Sequence, residues 1–89
     1  MLDRRGHYSY RVTNSGYGRT GFPDTLACVH GLLATVEAKV GRDPLRPAQK
    51  REITGLQNSK ARTCVAYSVE EAEKFIIDVE AQARRLGLV

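Results

Sequence analysis

The sequence predicts an α/β domain: a mixed β-sheet with helices packed against it. Three observations carry that prediction. Residues 7–13 alternate in polarity as a half-buried strand does, and a His30-Gly31 pair separates two short apolar runs, as in a hairpin. The second half carries helical periodicity twice, over 47–57 and again from Ser68 to Gly87, with a short apolar strand between. Read in order, the elements are strand, hairpin, helix, strand, helix.

Eighty-nine residues make one small domain spanning 1–89, near the lower size at which a single core is comfortably stable. The hydrophobic share, 42%, fits a globular chain. The formal net charge of +4 comes largely from ten arginines, whose planar forks suit phosphate better than lysine point charges do. That excess points to an anionic partner, although charge kept for solubility explains composition alone equally well. No signal-peptide or membrane-spanning pattern and no cysteine framework appears, which predicts no membrane and a reducing cytoplasm. Cys28 and Cys64 each sit inside an apolar run and are expected to be buried thiols; without a CxxC or a histidine cluster they do not make a zinc site.

The first six residues are short, charged and aperiodic, a frayed start. In the first strand Tyr8, Tyr10 and Val12 share a face, and core packing of the tyrosines is expected in preference to base stacking. His7 reads as a strand-start residue. The loop from Asn14 to Gly21 contains Gly16-Tyr17-Gly18-Arg19-Thr20-Gly21, which matches the GxGxxG dinucleotide fingerprint. That fingerprint needs a helix after its last glycine. Phe22-Pro23-Asp24 and a strand follow instead, so the nucleotide reading fails. The loop serves either as a linker or to present Tyr17 and Arg19 to a nucleic-acid backbone.

The hairpin runs from Asp24 to Lys39. With His30-Gly31 at the turn, Val29 pairs with Leu32, and continuing that register sets Asp24 opposite Glu37. Both hairpin faces are largely apolar, so both are expected to be covered. Gly41 to Arg46 is a basic loop, and Pro47 suits the first position of a helix. Gln49, Ile53 and Leu56 then form one stripe, with Gln49 at its sheet-facing start and Lys50 and Arg51 pointing outward. A strand over 63–67 leads to Ser68 and Glu71, a capping box for the last helix. Its stripe is Ala72, Ile76, Val79, Ala83 and Leu86, with Glu70–Lys74 and Glu80–Arg84 as surface pairs and Gly87 as its end. Ile77 interrupts the polar side, a contact point for another chain.

The Asp24–Glu37 pairing is the feature that stability alone does not explain. Directly opposite residues hold their Cβ atoms about 4.5–5.5 Å apart, and like charges there repel. A divalent cation between them removes the repulsion. Lys39 lies on the face of Glu37 by strand alternation, so two acids and a lysine converge.

Pro23-Asp24 followed by Glu37-Ala38-Lys39 resembles the PD-(D/E)xK nuclease superfamily, and Gly21-Phe22-Pro23-Asp24, Glu37-Ala38-Lys39 and Gln49 together resemble its VRR-NUC branch, the virus-type replication-repair nucleases. The likeness covers most of the chain, from Arg11 to the last helix. It implies a restriction-endonuclease-like mixed sheet flanked by helices. It also implies Mg²⁺ or Mn²⁺ held by Asp24, Glu37 and the Ala38 carbonyl, with Lys39 and Gln49 as further catalytic residues. The activity implied is hydrolysis of phosphodiesters in DNA, with Arg11, Tyr17, Arg19, Arg42, Arg46 and Lys50 as DNA contacts. Stand-alone members are similar to junction-resolving enzymes, so a homodimer acting on branched or four-way-junction DNA in a bacterial or phage-infected cell is expected. Two departures stand out. The family pattern has an N-terminal helix carrying an acid, for which this chain has no room, Asp3 being the only early acid; that helix is absent, supplied by a partner chain or trimmed. Arg46 stands where a Ser-like cap is usual. A catalytically silent nucleic-acid-binding module is the alternative, and a structural Glu37–Lys39 ion pair a third.

Overall fold

The His30-Gly31 turn sets the geometry of the sheet. Both residues have positive φ, 51° and 90°, the pattern of a type I′ turn, whose twist suits paired strands. From it β2 (Thr25–Val29) and β3 (Leu32–Ala38) run antiparallel, with Val29 facing Leu32 and Thr25 facing Val36 as the sequence predicts. The computed structural model of the chain describes residues 3–12 and 20–89. Within them β1 (Tyr8–Arg11) pairs antiparallel with β2, and β4 (Arg62–Ala66) pairs parallel with β3 after a crossover through α1 (Pro47–Asn58). The order is β1-β2-β3-β4, a four-stranded mixed sheet with β4 at one edge. The chain ends on α2 (Val69–Arg85).

The core forms on one face of that sheet. Ala27, Val29 and Ala34 meet Ile76 and Val79 of α2, all buried, with Leu32 and Phe75 packed around them. Small side chains on the strands let the helix approach closely. The Ser68 hydroxyl caps α2 by accepting the Glu71 N–H at 3.1 Å, and Gly87, at φ 75°, ends it with its N–H on the Arg84 carbonyl. The Glu71 carboxylate reaches one residue beyond the cap, to the Tyr67 N–H. Among the described residues no helix is long and apolar enough to cross a membrane.

Several expectations are corrected. Tyr8 and Tyr10 are 72% and 53% exposed rather than packed in the core. The reason is register: Ser9 pairs with the buried Ala27 and so faces α2, which turns the tyrosines to the opposite side. Cys28 lies on that side and is exposed, while Cys64 is half-buried. The hairpin is therefore covered fully on one face only. Leu86 falls outside the buried stripe of α2, which stops at Ala83. Glu80 is not a surface partner of Arg84. It is buried and takes a bidentate bond from Arg5, at 2.8 and 2.6 Å, and a 2.6 Å contact from His7 Nε2. This ties the start of the chain, including the short 3-10 turn Asp3–Arg5, to α2. Ile77 is exposed, as expected.

Candidate active site

Asp24 and Glu37 come together at the end of the hairpin away from its turn. The β1–β2 ladder extends past Arg11, the Val12 N–H bonding the Asp24 carbonyl at 2.8 Å, so Asp24 has a fixed backbone. Its Oδ2 accepts the Ala38 N–H at 2.9 Å, reaching across to β3 beside Glu37. Glu37 is buried, only 4% exposed, on the face of the sheet opposite α2. Burial pushes its carboxyl above the ordinary range, the Asp24 charge pushes it further, and Lys39 and Arg46 oppose the rise. Burial and the Asp24 charge together outweigh the cations nearby.

Gln49 connects this pair to α1. Its Oε1 accepts the Arg46 N–H at 2.8 Å, and its Nε2 donates to Glu37 Oε2 at 3.0 Å. The first bond is half of a capping box; an arginine side chain has no acceptor with which to return the other half. Together the two bonds fix the amide's orientation, because only one assignment of its oxygen and nitrogen serves both. Glu37 takes this bond from Gln49 rather than from Lys39, which weighs against a structural Glu37–Lys39 pair. The Lys39 N–H continues the β3–β4 ladder onto the Ala66 carbonyl at 2.9 Å, and its side chain is half-buried.

Gly21 is a site residue that the sequence reading left without a physical role. At φ 93° it packs on the first turn of α1 so tightly that an added Cβ would lie 2.5 Å from Ala48 C, 2.6 Å from Ala48 O and 2.8 Å from Gln49 N. The glycine lets the loop before Asp24 seat against the helix that carries Gln49. A glycine matching a fingerprint letter signals nothing of this; the contact spans 27 positions of chain and is visible only in three dimensions.

The remaining predicted residues lie around this centre or outside it. Arg11, Arg42, Arg46 and Lys50 are all exposed. Tyr17 and Arg19 lie outside the described residues, as does most of the GxGxxG segment. Among the described residues no group of three or more histidine, cysteine or acidic side chains is placed to hold a metal. Asp24 and Glu37 offer carboxylate oxygens, which with the Ala38 carbonyl would make an oxygen-only set of the kind that suits a hard divalent cation such as Mg²⁺ or Mn²⁺. Comparison with family models, curated proteins and solved structures returns no significant match.

Proposed function

We propose that this chain is a metal-dependent DNA nuclease of the VRR-NUC type, with a restriction-endonuclease-like core. The observation that carries the reading is the Asp24–Glu37 pair, two carboxylates at the same end of the hairpin, with Asp24 bonded to the Ala38 N–H next to Glu37 and Lys39 nearby. Gln49, bonded to the second of them, strengthens it. Asp24, Glu37 and the Ala38 carbonyl would hold Mg²⁺ or Mn²⁺, and a bound cation of this kind supplies Lewis-acid polarisation of a phosphate and a water of lowered pKa. Lys39 orients the attacking water or neutralises charge that develops on the phosphate oxygens. Gln49 keeps Glu37 pointed into the site by occupying its Oε2. Arg11, Arg42, Arg46 and Lys50 supply sequence-independent phosphate contacts around it. Action on branched DNA as a homodimer in the cytoplasm completes the reading, with the exposed Ile77 at the partner contact.

A binding module without catalysis is the second reading, favoured by one observation: among the described residues the site gathers two acids and no third. Incubation with linear, flapped and four-way-junction DNA in Mn²⁺, Mg²⁺ or EDTA separates the two. The nuclease reading expects cleavage that requires the metal and is abolished by Glu37→Ala or Lys39→Ala in folded protein. Full activity in EDTA, or wild-type rates in Lys39→Ala, contradicts it. DNA binding with no cleavage under any condition selects the second reading.

A further inference from the structure

Among the described residues, the face of the sheet turned away from α2 is largely open over β1 and at Cys28 of β2, next to the candidate site. Tyr8, Cys28 and Leu33 form one row across the strands, and Tyr10, Leu26 and Thr35 form the next. Tyr8 and Tyr10 are the most exposed aromatics of this face, Leu33 is 40% exposed and Cys28 is open to solvent. Continuing the same register by one more row brings Val12, Asp24 and Glu37 together, with the Val12–Asp24 backbone bond showing that β1 and β2 remain paired there. The two tyrosines therefore lead away from the carboxylate pair along a single surface.

We propose that this surface is a stacking platform for single-stranded DNA, on which Tyr10 takes the base nearest the carboxylate pair and Tyr8 takes the next. The direction of the strand rests on the nuclease reading; the platform itself rests on the two exposed tyrosines. Spacing selects the ligand. Side chains on one face of a strand recur about every 6.7 Å, whereas nucleotides along one strand of a B-form duplex rise about 3.4 Å. Adjacent bases inside a duplex cannot reach successive tyrosines, but the splayed bases of an unpaired strand can. An aromatic face is also available to every base, so such a platform takes single strands without regard to sequence. Charge agrees with a polyanion. The rows of Tyr8 and Tyr10 contain no acid, and the chain carries a net charge of +4. A second copy of the chain fits less well. Stable self-interfaces draw on an extended apolar core, and Leu33 is the one aliphatic side chain among the exposed members of these rows. For branched or flapped DNA the consequence is specific: the unpaired arm lies on the tyrosines while the junction phosphate sits at Asp24 and Glu37.

The test is fluorescence anisotropy in EDTA with a labelled oligothymidylate and, separately, a blunt duplex of the same length. Replacing both tyrosines by alanine should weaken single-strand binding by about thirtyfold or more, since base–aromatic stacking contributes about 1–3 kcal/mol per base and two bases lose their platform. Duplex binding should be unchanged, and Tyr8→Phe with Tyr10→Phe should restore single-strand binding. An oligonucleotide abasic at neighbouring positions should bind the wild type more weakly and lose nothing further in the double alanine variant. Equal losses for single strand and duplex, no loss for either, or undiminished binding of the abasic strand overturns the platform. So does dissociation of a dimer in sedimentation of the alanine variant, which would make this face a self-interface. Cleavage is absent from the measurement, so the readings part cleanly. A protein that stacks bases but cuts nothing in Mg²⁺ or Mn²⁺ keeps the platform and loses the nuclease. One that cuts while the tyrosines prove inert does the reverse.

Discussion

Gln49 donates its side-chain N–H to Glu37 Oε2 at 3.0 Å, and the Arg46 N–H fixes the other end of the same amide. A glutamine held at both ends acts as a ruler between the start of α1 and the buried carboxylate. Gln49→Ala removes the ruler without adding charge. Cleavage should slow roughly ten- to a hundredfold, the scale of a lost positioning contact, while DNA affinity in EDTA stays nearly constant. Gln49→Glu is expected to be slower still at neutral pH, because it keeps the acceptor for Arg46 but sets a third carboxylate against Glu37. Single-turnover rates and affinities measured side by side decide the point. Loss of affinity with turnover preserved would make Gln49 a binding residue.

Gly21 should be equally intolerant, for a reason of packing. A Cβ there meets Ala48 and Gln49 backbone atoms at 2.5–2.8 Å, and backbone cannot step aside as a flexible side chain can. Gly21→Ala is expected to cost about 1–3 kcal/mol by urea denaturation, the scale of an overpacked site, and to lower turnover by disturbing the Gln49–Glu37 bond. Gly41 supplies the control. Its φ is also positive, 61°, but nothing lies within 4 Å of an added Cβ, so Gly41→Ala should show only left-handed strain, about 1 kcal/mol, with turnover intact. Similar effects at both glycines would remove the packing explanation.

Much of the site was legible in the sequence because short-range rules determine it. The turn at His30-Gly31 sets the register that brings Asp24 to Glu37, and the spacing from Pro47 turns Gln49 toward the sheet. Alternation shows that Tyr8 and Ser9 lie on opposite faces, but it does not say which face a helix covers. That depends on where α2 docks, and α2 docks over Ala27 and Ala34. The i, i+4 rule likewise offers Arg84 to Glu80, whereas the fold presents Arg5 and His7 from the far end of the chain. Local pattern cannot see such a partner. The closeness of Gly21 to Ala48 is hidden for the same reason, since a glycine in a loop is consistent with any turn.

The Arg5–Glu80–His7 cluster should govern the acid limb of stability. Its hydrogen bonds from Arg5 and His7 hold the Glu80 carboxyl down to about 2, against an ordinary 4.5. A depressed carboxyl means the unfolded chain binds the proton first as pH falls. The stabilisation is therefore complete above about pH 4.5 and is lost progressively toward pH 2. Glu80→Gln should lower stability at neutral pH by about 1.5–3 kcal/mol, the range for hydrogen bonds to a charged group, and flatten the pH dependence across that acid window. Denaturant midpoints of both proteins at several pH values check this. Parallel curves for wild type and variant would show that Glu80 contributes nothing through its charge.

Glu37 should behave in the opposite sense. Burial and the Asp24 charge raise its carboxyl, so in metal-free protein the folded state holds its proton more tightly than the unfolded chain does. Stability contributed by the protonated form is full below the ordinary carboxylate range and falls as pH rises through the raised value. Above it the protein carries a buried, repelled carboxylate. Glu37→Gln removes that charge and can keep a bond to Gln49 through its amide oxygen. The variant is therefore expected to be more stable than wild type in EDTA at neutral pH, by about 1 kcal/mol, the usual gain when a functional strain is relieved, and to have no nuclease activity. Mg²⁺ should reverse the ranking, since a cation binds the ionised pair and stabilises only the protein that has it. Calorimetric titration of wild type with Mg²⁺ should release protons in the window where Glu37 is still protonated, and Glu37→Gln should release none. A variant less stable than wild type in EDTA, or equally responsive to Mg²⁺, would show that Glu37 serves the fold rather than a metal.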